Sequence, residues 1–319
     1  MPAWRKHSRK SYSLSRRRTF AVCFAMCALV AVASPVCAQA PCSGPDCPEA
    51  AATESARGLA LGTGLRASSV STSALAYSPA GLALGRLYHI EGNVDYIPDA
   101  NGVALGAGVV DSSTSQLGAG VGIRGFISGS GGWGGIDGRL GLGFPFSQAF
   151  AVGLAARYIT LSADDDMGDS VTLARGFTMD ASFRIRPTES VQIDLGAYNF
   201  IPQDNALVPV QLGTALAFGV SDALSLGADF LVDTSTFDKP QFLTGAGLEF
   251  LAGGAIPLRI GYRFDTGRKI HCVTGGIGYT SQYVGLDLSL RQQVATGESK
   301  DVDSTLDTRV MGAIRYYVH

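Results

Sequence analysis

Charged and hydrogen-bonding side chains recur at a spacing of two along this chain. His89, Glu91, Asn93 and Asp95 form one such row. Asp180 and Arg184, Arg259 and Arg263, and Asp287 and Arg291 belong to others, and Arg124 ends the run Gly118, Gly120, Gly122. A row of this kind lines a polar path, or it forms ladders of opposite charge between neighbouring strands, since buried charges must be paired. Catalysis needs a nucleophile, a base and an orienting group brought together. No local pattern of that sort is present, so no catalytic set, metal or cofactor is expected. After the N-terminal forty residues the histidines are His89, His271 and His319, and of these only His89 falls on the polar face of a strand-like segment. Cys42 and Cys47, in a C-x4-C arrangement, are candidates for a small disulfide loop; a metal site is the weaker reading, because no histidine lies nearby.

These residues need strands to position them. In Leu87–Tyr96, the residues Tyr88, Ile90, Gly92, Val94 and Tyr96 share one face and the polar row shares the other. A period of two is strand geometry, with successive side chains on opposite faces. The pattern returns in about fourteen segments up to the C-terminus, with twelve as the alternative count. Aromatic residues fall on the apolar face near segment ends, as membrane-interface girdles require. The expected fold is all-β: a transmembrane antiparallel up-and-down β-barrel over residues 87–319, facing outer-membrane lipid as a monomer. Long polar linkers alternate with short turns, which places both termini in the periplasm. The outer linkers are expected to be too short to fold into the lumen.

The N-terminus reads as an address. Seven basic residues, an apolar run from Phe20 to Ala33, and Ala38-Gln39-Ala40 make residues 1–40 a Sec signal peptide. Of 25 Lys+Arg and 27 Asp+Glu in the chain, seven basic and no acidic residues lie in this segment, leaving 18 against 27 and a net charge of about −9. Nucleic-acid binding is therefore not expected. Residues 41–57 read as a flexible periplasmic leader and residues 58–86 as a hatch or plug. The lumen-facing parity is rich in Gly and Ala, which leaves room inside a barrel. Gly118, Gly120, Gly122 and Gly125 mark either a strand kink with a lateral opening or a place where strands approach closely.

The small-residue run Ala67 to Ala76, followed by Tyr77-Ser78-Pro79-Ala80-Gly81-Leu82-Ala83, resembles the N-terminal region of the FadL/TodX-type outer-membrane transporter superfamily. Those proteins carry Asn-Pro-Ala-Gly-Leu-Ala before their first strand; here Ser78 replaces the Asn and could cap a short helix. The resemblance implies a fourteen-stranded barrel with an N-terminal hatch formed around Ser78, Pro79, Ala80 and Gly81. It also implies passive uptake of a hydrophobic small-molecule ligand, fatty-acid-like or aromatic, with exit past a kinked strand. The compact PorV-like branch implies a different role, a scaffold or partner protein of an envelope complex. A small solute pore is the third reading.

Overall fold

The alternation is realised as a ladder that closes on itself. The computed structural model describes residues 54–97, 102–128, 133–164, 169–203, 205–296 and 308–318. Fourteen strands form one closed antiparallel barrel in sequence order, sealed by β1 against β14. They are β1 Tyr88–Ile97, β2 Gly102–Asp111, β3 Gly118–Ser128, β4 Trp133–Pro145, β5 Phe150–Asp164, β6 Ser170–Thr188, β7 Val191–Tyr198, β8 Gln211–Ser221, β9 Leu224–Asp233, β10 Gln241–Ala252, β11 Ile256–Asp265, β12 Ile270–Thr280, β13 Val284–Thr296 and β14 Arg309–Val318. Closure pairs the backbone groups of every strand, which is the condition for crossing lipid without helices. The end where β1 begins and β14 finishes is called the near end, and the opposite end the far end.

Side-chain parity follows the sequence pattern. Ile90, Val94 and Tyr96 point outward and are exposed, while His89, Glu91 and Asp95 are buried in the lumen. Aromatic residues gather at both rims of the outer face. Phe144, Phe146, Phe150 and Phe183 stack in series at the near end. Phe230 packs on Phe242, and Tyr262 and Phe264 on His271, at the far end.

The glycines of β3 carry no β-bulge: its register is unbroken against β2 and against β4 at Gly118, Gly120, Gly122 and Gly125. The register shifts lie elsewhere, at Leu161/Ser162, Ile185/Thr188, Gly219/Ser221 and His271/Cys272. Two of the four glycines serve close approach. A Cβ at Gly118 would meet the Leu82 carbonyl oxygen at 2.1 Å, and one at Gly120 would meet Val110 at 2.7 Å and Leu75 at 3.3 Å; at Gly122 the nearest atom, of Leu75, is at an ordinary 3.6 Å. Gly125 has nothing within 4 Å.

The lumen is filled from both directions. Residues 54–86 run through it as helix α1 (Ala56–Ala60), a 3-10 turn (Arg66–Ser68), helix α2 (Ser71–Tyr77) and a second 3-10 turn (Pro79–Ala83). This packed segment already includes Glu54, Ser55 and Ala56, all buried, and so begins before the expected boundary at residue 58. Ser55 caps α1 by accepting a hydrogen bond from the Gly58 amide (3.2 Å). A helix this short carries no apolar periodicity for the sequence to reveal.

From the far end, the β7–β8 linker also turns inward, contrary to the expectation for the outer linkers. Its Leu207 and Val208 join Ile97, Phe126, Ile159, Leu161 and Leu173 in an apolar cluster inside the barrel mouth. β6 outruns β7, and the linker takes over that stretch of the ladder. The Phe200 amide donates to the Met179 carbonyl (2.9 Å), Gln203 donates to the Phe177 carbonyl (2.6 Å), and Asn205 donates to the Leu173 carbonyl (2.7 Å).

The hatch also presses closely on the wall at Gly153 of β5. A Cβ there would lie 2.1 Å from both the Ala80 nitrogen and the Pro79 carbonyl carbon. Gly153→Val is expected to expel the 79–83 turn or to cost at least about 1–3 kcal/mol, as overpacking does. Gly125→Ala is expected to be neutral. Heat-modifiable gel mobility reports the barrel and limited trypsin digestion reports the hatch; equal hatch protection in both variants would contradict the packing described.

Candidate functional site: the hatch in its charged lumen

The hatch makes a circuit of the inner wall. α1 lies against β11–β14, the first 3-10 turn against β7–β9, α2 against β1–β4, and the second 3-10 turn against β3–β6. Wall glycines make this possible. At the loop after α1, a Cβ on Gly227 would meet the Gly64 carbonyl oxygen at 2.1 Å, and one on Gly245 would meet that of Gly62 at 1.9 Å. Gly62 and Thr63 turn through left-handed backbone there, at φ 60° and 71°. The room that the Gly/Ala-rich parity leaves is thus occupied by hatch backbone.

Three hatch charges are fixed to the wall. Glu54 lies 2.9 Å from Arg291, 3.0 Å from Arg309 and 3.6 Å from Arg263. Arg57 reaches Glu249 (2.9 Å), which also takes Arg259 (2.5 Å). Arg66 reaches Asp229 (2.8 Å), while its backbone amide donates to the same carboxylate and its guanidinium sits over the rings of Tyr77 and Tyr198. Burial opposes the charge of Arg66, but attraction to Asp229 wins and its pKa is raised. Burial also pushes the Tyr77 phenol up, so it stays protonated.

Polar contacts hold the rest of the hatch. The Ser78 hydroxyl donates to Asp194 (2.5 Å) and lies 3.0 Å from Ser182, whose own hydroxyl accepts from the Ala80 amide (2.8 Å). Ser78 does not cap the 79–83 turn through its side chain; it ties that turn to the wall. Pro79, Ala80 and Gly81 are buried beside it. Arg184, also fully buried, bonds Asp194 (3.0 Å), the Ser69 carbonyl (2.5 Å) and the Arg66 carbonyl. His89 meets Ser71 through Nδ1 and Thr72 through Nε2 (3.2 Å), and Thr72 donates to Glu91 (2.6 Å). Ser71 sits at φ 56° and is 2 % exposed, so this Ser–His–Glu grouping serves as an anchor between hatch and β1.

The remaining lumen charges cancel along the wall. Asp95 takes Arg124 and Arg309, the latter at 2.6 Å. Asp180 takes Arg139 (3.2 Å) and accepts from the Asn199 amide (2.7 Å). Asp287 takes Arg259 (2.6 Å) and Arg315. Asn93 packs beside Gly106. Every lumen-facing polar residue named from sequence therefore lies in the lumen: His89, Glu91, Asn93, Asp95, Arg124, Asp180, Arg184, Arg259, Arg263, Asp287 and Arg291. Sequence reasoning missed Asp137, Arg139, Arg157, Asp194, Asp229, Glu249 and Arg309, although the same two-residue parity marks them. It also missed Glu54, Arg57 and Arg66, which no strand pattern marks. Cys42 and Cys47 lie outside the described residues. Among the described residues no cluster of His, Cys, Asp or Glu has the makings of a metal site.

Asp229→Asn leaves Arg66 buried without its counter-charge. It is expected to destabilise the folded chain by about 3–5 kcal/mol, the usual cost of breaking a buried pair from one side. The measurement is the urea midpoint of the detergent-solubilised barrel together with trypsin cleavage at Arg66. An unchanged midpoint and an uncut hatch would show that the pair carries no weight.

No protein-family model matches the sequence, and no curated protein is significantly similar to it. Solved structures do match in fold. The Ralstonia pickettii toluene transporter TbuX superposes with a TM-score of 0.58 at 13% identity, covering 84% of this chain and 98% of the other. A Pseudomonas aeruginosa FadL homologue gives 0.58 at 12% identity, covering 86% and 98%. The Pseudomonas putida toluene transporter TodX gives 0.54 at 13% identity, covering 82% and 96%. At such identities the likeness is one of fold: this chain is a fourteen-stranded barrel with the FadL/TodX-type outer-membrane transporter fold, its lumen occupied by residues 54–86.

Proposed function

We propose that this barrel sits in the bacterial outer membrane with both termini in the periplasm, and that it admits small hydrophobic molecules by displacement of its hatch. The form described is the shut one. The observation that carries this reading is the layering of the lumen within a FadL/TodX-type barrel. A packed apolar cluster under the β7–β8 linker closes the far mouth above a hatch held by a few discrete polar anchors rather than by continuous ladder pairing. A cavity of about 60 Å³ lies beyond, between α2 and the wall. There Gly106, Gly108 and Gly122 leave β2 and β3 without side chains, a thin place suited to lateral exit.

A second reading has its own observation. The lumen is packed and its charges are cross-linked, which suits a silent barrel that serves as a scaffold for another envelope protein. The same packing counts against an open solute pore.

The test compares host cells lacking this chain with cells carrying it, measuring accumulation of labelled toluene and of a labelled long-chain fatty acid. A several-fold faster accumulation of either compound with the wild-type barrel supports the conduit. Equal accumulation with and without the barrel overturns it. Purification at native level with a stoichiometric envelope partner, together with equal accumulation, would establish the scaffold.

A further inference from the structure

One cavity inside the barrel has a chemistry that neither the ladders nor the conduit explains. It measures about 90 Å³ and lies between the hatch and the β7–β8 linker. A cavity needs roughly 10–15 Å³ on this measure to hold one water, so there is space for several waters or for one small anion. Arg66, Arg139, Arg157, Arg263 and Arg268 line it, against only Glu54 and Asp180. The carboxylates that balance the other arginines point elsewhere. Asp229 on Arg66, Asp137 on Arg157 and Asp265 on Arg268 are not among the lining residues. The space is therefore enclosed by an excess of positive charge, in surroundings where water screens little.

Hydrogen-bonding capacity tells the same story. Nε of Arg66, Nε of Arg139 and the hydroxyl of Thr63 are buried and make no hydrogen bond within the protein, Nε of Arg139 lying 4.0 Å from Asp137, and all three residues line this cavity. Buried donors left unmade cost about 1–3 kcal/mol each, and more when charged, so folds rarely leave several around one space. Arg66 is 9 % exposed and Thr63 5 % exposed. Arg66 and Thr63 belong to the hatch, while Arg139 belongs to β4. A ligand accepting from all of them would bridge hatch to wall.

We propose that this cavity is a binding site for one oxyanion of the carboxylate or phosphate type, held jointly by Arg66 and Thr63 of the hatch and Arg139 of the wall. The upper wall of the cavity is apolar, with Leu207, Leu231 and Leu243. The anion is therefore either a free small acid or the head of an amphiphile whose tail lies under the linker. The site stands whether or not the barrel conducts.

The test uses the full chain in an uncharged maltoside detergent at constant ionic strength. Thermal unfolding and calorimetric titration are followed with sodium acetate, inorganic phosphate, octanoate, octanol and sodium chloride. Saturable binding of acetate or phosphate, with an upward shift in melting temperature that chloride does not give, supports a free-anion source. Binding of octanoate alone, with octanol silent, supports an amphiphile head. In either case Arg139→Gln is expected to weaken binding at least tenfold. Thr63→Val is expected to weaken it several-fold while keeping the melting temperature of the ligand-free protein, because that hydroxyl has no protein partner to lose. Octanol binding as tightly as octanoate, no anion binding tighter than chloride, or affinity unchanged in both variants would each overturn the proposal and leave the cavity to water.

Discussion

The lumen of this barrel is a place where charge must be cancelled by contact. Its charged side chains are mostly buried, and an unpaired buried guanidinium or carboxylate costs several kcal/mol. The wall alone does not reach that balance. Asp229 pairs with Arg66 of the hatch, and Arg291 and Arg309 meet on Glu54 of the hatch. The hatch is thus a structural complement to the wall. Barrel and hatch belong to one electrostatic unit, and the order of the wall charges makes sense only with residues 54–66 in place.

That complementarity depends in turn on what the wall omits. A strand carries side chains at alternate positions on its inner face, and each would hold a passing chain away. At Gly118 and Gly153, and again at Gly227 and Gly245, the wall presents bare backbone, and the hatch lies against it at distances no Cβ would tolerate. Close approach lets short side chains such as Ser78, Ser71 and Thr72 reach their wall partners. Without the glycines the same ion pairs would have to be spanned from further out, and longer, floppier side chains would lose more entropy on being fixed.

The strands and the inward or outward sense of their side chains were legible because both are local: a two-residue period needs no knowledge of distant parts. The inward set His89, Glu91 and Asp95 followed directly from that parity, and so could Asp137 and Arg139. What stayed hidden is partnership. Glu54 and Arg309 bond across 255 positions of sequence, a distance over which no local pattern speaks. The glycines of β3 show the same limit. Sequence registers the missing side chain at Gly118, yet whether the vacancy serves a kink or a neighbour depends on what lies opposite, and here it is Leu82. The inward turn of the β7–β8 linker does not show in its length. Leu207 and Val208, together with Phe200, Ile201 and Val210 in the same connection, were the available sign, since a solvent-facing linker has no use for so many large apolar residues.

The hatch is not equally anchored along its length, and this asymmetry bears on how it could move. Its first half, Glu54 to Ser69, holds Glu54, Arg57 and Arg66, each in an ion pair with the wall. Displacing it would strand charges on both sides of every broken contact. Its second half, Ser71 to Gly85, carries no charged side chain and is held by hydroxyl and amide bonds to His89, Glu91, Asp194 and Ser182. Such bonds contribute roughly 0.5–3 kcal/mol each, and their loss leaves mostly groups that a water could satisfy. The second half also joins β1 directly and faces the glycine-thinned stretch of β2–β5. A hatch displacement of the kind proposed above would therefore begin at the Ser71–Gly85 end, with the charged half as the fixed post from which it swings.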